Sequence, residues 1–215
     1  TNNFVDITSA FDTFLLSDSA LKVGEIATVT LTFSEVVNGF SSDYITAVNG
    51  TLSTMTTVDN RIWTGTFTPF TNIEDATNIL TLNTSNTVFE GITVLSTTTS
   101  NYEVDTLFPT VLSFVLSNSA LKAGETATVT LTFSEAVAGF SSDTDITAVN
   151  GTLSSMTTGN NIIWTGTFTP TVDTEDASNV LTLSANYTDL AVNAGPSDTT
   201  SNYEIETLLP TADIT

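Results

Sequence analysis

The stretch VTLTFSE at residues 29–35 recurs unchanged at residues 129–135. In each copy Val, Leu and Phe alternate with Thr, Thr and Ser. This period-two pattern marks a strand with one buried and one solvated face. Val29, Leu31 and Phe33 share the core face, as do Val129, Leu131 and Phe133. Glu35 and Glu135 fall on the same parity as those core residues. The alternation points to an all-β fold. The carboxylate that ends it, written twice 100 residues apart, raises the question of function.

Composition agrees with the strand reading. Of 215 residues, 40% are apolar and only 13% charged. Thr, Ser and Asn fill the polar positions, and Thr with the β-branched apolar residues favours pleated, half-buried surfaces. The 24 acids face three bases, Lys22, Arg61 and Lys122, for a formal charge of -21. Phosphate neutralisation needs Lys and Arg, so nucleic acid is excluded as a partner. An anionic membrane surface is disfavoured for the same reason. The chain has no Cys and no His, which removes disulfides, zinc sites and His-based catalysis. No apolar run is long enough to insert in a membrane. Residues 1–20 lack the basic start and apolar core of a signal peptide. The abrupt ends, TNNFVDIT and LLPTADIT, read as cuts within a longer chain.

The repeat extends far beyond seven residues. Residues 17–43 return as 117–143, and 45–57 return as 146–158 after one inserted residue. IWTGTFTP at 62–69 matches 163–170, EDATNILTL at 74–82 matches 175–183, and TTSNYEVDT at 98–106 matches 199–207. A period of about 100 residues is the size of a domain, not of a solenoid turn. The expected organisation is a first repeat over 1–106, a second over 107–208, and the start of a following repeat or linker at 209–215. Each unit reads as seven short strands, in the first at 11–16, 26–34, 44–49, 52–57, 61–68, 78–83 and 98–104. Asn49-Gly50 and Asn150-Gly151 lie between strand-like runs, a hairpin signal. Trp63 and Phe67 share a face and read as core anchors; Met55 and Met156 read as core too. Seven strands with regular turns predict two tandem immunoglobulin-like β-sandwiches without a disulfide.

Together LKAGETATVTLTFSEAVAGF (121–140), IWTGTFTP (163–170), EDASNVLTL (175–183), TDLAVNAG (188–195) and NYEIETLLPT (202–211) resemble the bacterial Ig-like repeats of giant surface adhesins and biofilm-associated proteins. The resemblance covers nearly the whole chain. It implies a repetitive, non-catalytic extracellular stalk at the bacterial cell surface that carries an adhesive tip, often secreted by a type I system and often stiffened by Ca²⁺. The family's DxAGN loop reads Asp189-Leu-Ala-Val-Asn193 here, with Val192 in place of Gly. In the first repeat that loop is lost, as TVFEGITV (87–94).

Strand counting sorts the acids between the two ends of each sandwich. If directions alternate, Glu35 and Glu135 sit at the leading end, with the 84–97 loop and its counterpart. Asn49-Gly50, Glu74, Asp75, Glu103 and Asp105 sit at the trailing end. The trailing acids of the first repeat then meet Glu135, Asp189 and Asn193 of the second, with Asp143 and Asp145 close behind. Lys22 is at the trailing end in a different loop. Ca²⁺ takes 6–8 oxygen ligands in a flexible shell and suits such a junction better than Mg²⁺. The expected ligands are chiefly Glu135, Asp105 and Asp75, then Glu74 and an outward-facing Glu103. Equivalent sets are Glu35 with Asp6, and Asp176 with Glu206 and Asp213.

Other readings compete. Tyr44, Phe70, Phe89 and Tyr187 are candidate surface aromatics for a glycan-binding module. Sheet edges or the terminal TADIT could join subunits into an extracellular filament. Neighbouring repeats of the same chain are the expected partners of a stalk. Asn-x-Ser/Thr triplets start at Asn49, Asn83, Asn150 and Asn186 but arise easily in a chain rich in Thr. Adjacent acids such as Glu74-Asp75 do not flank a cleft as a glycosidase pair does, so no enzyme is expected.

Overall fold

A computed structural model describes residues 10–84, 88–89 and 92–211. Asp6 and Asp213 lie outside the described residues. The chain divides into two compact units, Thr1–Leu107 and Phe108–Thr215. Both are all-β sandwiches.

In the first unit the sheet built on VTLTFSE runs in the order Phe11–Leu16, Ala27–Phe33, Ile62–Pro69, Gly50–Leu52, with Thr56–Thr57 also on Ile62–Pro69. A second layer is split into two three-stranded pieces. One is Ala20–Lys22, Tyr102–Asp105, Glu74–Asn78; the other is Thr97–Thr98, Leu80–Leu82, Ile45–Ala47. The second unit repeats this plan with Val111–Leu116, Ala127–Phe133, Ile163–Pro170 and Gly151–Leu153 in its larger sheet. It adds a ribbon of Val137–Ala138 paired with Thr188–Asp189.

The alternation decides what each strand buries. Val29, Leu31, Phe33, Val129, Leu131 and Phe133 are all fully buried. Thr28 and Thr128 face water on the opposite side. Phe67 and Phe168 pack edge-to-face on Tyr102 and Tyr203, with ring centroids 5.3 Å apart in each unit. Gly50 and Gly151 lie over those Phe rings so closely that an added Cβ would overlap the ring. Met55, Met156 and Trp63 are core residues, as the pattern predicts.

Three expectations change in detail. The Asn-Gly turns do not close hairpins. Ile45–Ala47 pairs with Leu80–Leu82, whereas Gly50–Leu52 pairs with Ile62–Pro69, so Asn49-Gly50 carries the chain from one sheet to the other. Glu74-Asp75 opens the strand Glu74–Asn78 and is not a loop. Lys22 is on the strand Ala20–Lys22, in parallel register beside Asp105, not in a separate loop. In each unit the described strand pairs are antiparallel, except that Ala20–Lys22 and Ala120–Lys122 run parallel to their partners. Ala20–Lys22 runs parallel to Tyr102–Asp105, and Glu74–Asn78 runs antiparallel to it.

The buried tyrosines give each unit a titration signature. Burial pushes Tyr102, Tyr187 and Tyr203 from 10.0 up to about 12, and Asp75, Asp198 and Asp176 respectively add to it. A pKa raised by folding adds stability below the unfolded value and loses it as pH rises through the folded one. Unfolding in base should therefore set in as pH climbs from 10.0 towards about 12. Ultraviolet phenolate absorbance against pH checks this: Tyr102, Tyr187 and Tyr203 should ionise together with loss of the fold.

Candidate functional site

The strand Ala127–Phe133 delivers Glu135 to the leading end of the second unit. The backbone N–H of Ser134 donates to the Thr110 carbonyl, and that of Thr110 donates to Ser134 Oγ, both at 2.9 Å. The N–H of Val137 then donates to Asn161 O at 3.0 Å. These bonds pin both sides of Glu135. Val137 pairs with Asp189 across the ribbon.

Asp189 begins a loop that closes on itself. Its carboxylate accepts from the backbone N–H of Asn193 and from Asn193 Nδ2, both at 2.8 Å. Its own N–H donates to Asn193 O at 3.0 Å. Val192 fills the Gly position of the motif at φ 73°, a conformation uncommon for a β-branched residue. Asp189 is 0% and Asn193 3% exposed, and the loop is tied to Tyr187, whose hydroxyl donates to Pro196 O at 2.7 Å. Carboxylate oxygens of Glu135 and Asp189 lie within 4.8 Å of one another. A buried carboxylate with a second one beside it favours an oxygen-seeking cation. The donors are hard oxygens, and the chain has no Cys or His. This fits Ca²⁺ and disfavours zinc.

Among its described residues the first unit lacks this constellation. At the one-residue-shifted offset of 101, Val88 stands where Asp189 does and Ile92 where Asn193 does. There Val88–Phe89 pairs with Ile92–Thr93. Glu35 is exposed at the end of its strand.

The remaining candidates have structural partners. Asp75 accepts from the Thr77 N–H at 2.9 Å and from Asn49 Nδ2 at 2.8 Å. The Thr77 N–H, more than any other contact, holds its carboxyl below the usual 3.8. Asp176 accepts likewise from the Ser178 N–H at 2.9 Å and from Asn150 Nδ2 at 2.8 Å. Both acids clamp the turn in which Asn49 and Asn150 take φ 57°. Asp143 accepts from Ser155 Oγ at 2.9 Å, and Asp145 caps Ser141 N–H at 2.8 Å, so both serve the short helix Ser142–Asp145. Glu74 stands opposite Asp105, with Lys22 on the other side. Glu175, Glu206 and Lys122 form the same row in the second unit. Glu103 is exposed, as its parity requires. Asp105 ends the strand Tyr102–Asp105 and accepts from the Leu107 N–H at 3.3 Å.

The aromatic candidates divide. Phe70 is exposed, but Phe89 and Tyr187 are buried. Each completes the ring cluster of its unit, Phe89 against Phe40 and Tyr44, and Tyr187 against Phe133 and Phe140. As core residues they offer no stacking platform to a sugar. Sequence reading missed the Asn49–Asp75–Asn78 clamp, whose members lie 26 and 29 residues apart from Asn49.

The sequence profile of the bacterial Ig-like domain matches residues 9–103 and again 105–205, and the chain belongs to that family in two tandem copies. No characterised protein matches it by sequence. Among solved structures it is similar to the Escherichia coli adhesin FdeC, with 17% identity and a TM-score of 0.45, over 90% of this chain and 65% of that one. It is similar to the Yersinia pseudotuberculosis adhesin InvE at 14% identity and a TM-score of 0.39, over 90% and 60%. An I-band fragment of titin gives 14% identity and 0.49, over 93% and 66%. The chain thus spans about two thirds or less of each of these structures. The family assignment rests on the profile match alone.

Proposed function

We propose that the chain is a stretch of extracellular stalk from a bacterial surface adhesin, stiffened where Ca²⁺ is held between successive repeats. The observation that carries the reading is the pair Glu135 and Asp189, with carboxylate oxygens within 4.8 Å at the end of the second unit from which its chain starts. Asp105 precedes Thr110 by five residues. Thr110 is hydrogen-bonded to Ser134, next to Glu135. Five extended residues reach at most about 17 Å, a linker short enough to allow Asp105 to join the pair when Ca²⁺ is bound. Calcium bound by these oxygens would neutralise like charges and tie the end of one repeat to the beginning of the next. The acids of the chain do the rest: without a cation they repel and leave the linker 105–110 free to bend. The matching positions of the first unit carry Val88 and Ile92, which offer no side-chain oxygen. Glu74, Glu103 and Asp75 are secondary, since Asp75 is committed to its turn and Lys22 stands beside Asp105.

Small-angle scattering of the EDTA-treated chain, before and after Ca²⁺, tests the reading. The expected result is a longer maximum dimension and a narrower distribution of conformations with Ca²⁺. Superimposable profiles would remove calcium stiffening from the account. Regular fibres at working concentration would favour a filament subunit.

A further inference from the structure

Tension on a tandem chain enters each unit where the backbone arrives and passes on where the backbone departs. In the second unit the departure point is Thr207, directly after the last strand, Tyr203–Glu206. Thr207 is 3% exposed. Its hydroxyl donates to the Thr171 carbonyl at 2.7 Å, with Thr174 O as a further acceptor at 3.1 Å, and accepts from the Thr174 N–H at 2.9 Å. Its own N–H donates to Thr174 O at 2.8 Å. Thr171 follows Pro170, the end of a strand in the larger sheet. Thr174 precedes Glu175, the start of a strand in the other layer. One buried side chain therefore ties the departing backbone to the connection between the two layers. Thr106 is placed alike in the first unit. Its hydroxyl donates to Phe70 O at 2.7 Å and accepts from the Ile73 N–H at 3.0 Å, and its N–H donates to Ile73 O at 2.7 Å.

The strand before each threonine is the one that tension must dislodge. Tyr203–Glu206 lies parallel to Ala120–Lys122, near the start of the unit, in a pairing of three residues. Opposite pulls on the two ends of the unit slide this pair lengthwise. That loads its hydrogen bonds together instead of opening them one by one. A ladder this short has little reserve of its own. The bonds of Thr207 add resistance at the exit and pass tension to the strands that flank the 171–174 connection. A valine would fill nearly the same space without these bonds, so the hydroxyl is what sets the position apart.

We propose that Thr106 and Thr207 are tension locks, whose buried hydroxyls share a pull along the chain between the two layers of each unit. Resistance to force is then built into the single repeat. It goes beyond stiffening by Ca²⁺ and does not depend on the ion.

Single-molecule pulling at constant force tests this on the whole chain, held by its two ends in EDTA. Such an experiment reads the unfolding rate. Two unfolding steps are expected, one per unit. Thr207→Val should speed one of them by about tenfold, the factor for a buried hydrogen-bonding group left without its partner. Thr200→Val is the matched control. Thr200 is 4% exposed, and its hydroxyl accepts from the Leu181 N–H at 3.0 Å. It precedes Tyr203–Glu206 in the chain, so a pull from the exit reaches it only after that strand has given way. Thr200→Val should lower stability in urea about as much as Thr207→Val. Its forced rate should stay within about twofold of the parent, because its contact is still intact when the lock breaks. Thr207→Ser keeps the hydroxyl and should unfold near the parent rate. Thr106→Val against Thr99→Val repeats the comparison in the first unit, where Thr99 accepts from the Leu80 N–H at 3.0 Å, and decides the matter should Thr207→Val fail to fold. Equal acceleration by lock and control variants would overturn the proposal, as would a Thr207→Val chain that unfolds under force at the parent rate.

Discussion

Replacing Phe168 by Ala lowers the stability of the second unit by about 4 kcal/mol and its melting temperature by on the order of 20 °C. Phe168 is completely buried and lies in register with Ala127 on one neighbouring strand and Leu153 on the other. Its ring meets Tyr203 edge-on and forms the floor beneath Gly151. No neighbouring side chain can collapse into the space, because Gly151 has none and Tyr203 is fixed in its own strand. The cavity cost therefore adds in full to the lost burial. Trp164 fluorescence reports this unit, with Trp63→Phe removing the other indole. Thr165→Ala, on the solvent face of the same strand, should change stability by no more than about 0.5 kcal/mol. A Phe168→Ala cost below about 1 kcal/mol would mean that the ring is not the core element described.

That strand, and its partner VTLTFSE, could be read from the sequence because period-two alternation is a local property. Parity alone put Val129, Leu131 and Phe133 inside. It also put Glu135 beyond the last apolar layer, where the structure has it. What escaped the sequence depends on pairing between distant segments. Asn49-Gly50 carries a strong hairpin signal, but the signal is silent on which sheet each flanking strand joins, and the two join different ones. Phe70, Phe89 and Tyr187 look equivalent as loop aromatics. Only the packing of Phe40 and Phe140 shows that two of them are core. Asp75 reads in the sequence as one of the chief Ca²⁺ ligands, but Asn49, 26 residues away, donates to its carboxylate. The candidate site was legible to the extent that it rests on strand ends. The closed loop of Asp189 and Asn193 was legible only through its motif.

Calcium should stabilise the second unit selectively. A ligand at a hundredfold excess over its dissociation constant adds about 2.7 kcal/mol to the state that binds it. For a domain of this size that raises the melting temperature by on the order of 10 °C. The transition reported by Trp164 should move by this amount, and the one reported by Trp63 should not, since Val88 and Ile92 replace Asp189 and Asn193 in the first unit. Glu135→Gln keeps the size of the side chain and removes its charge, so it should abolish the shift with little effect on the calcium-free protein. An equal shift of both transitions would point to diffuse screening of the net charge of -21 and not to a site.

If Glu135 ligates Ca²⁺, removing its charge must remove the binding. Calorimetric titration of Ca²⁺ into the EDTA-treated chain tests it most directly, with Glu135→Gln run alongside. The account predicts a saturable heat for the parent chain that is lost in the variant. No heat in the parent, or the same heat in both, would contradict it.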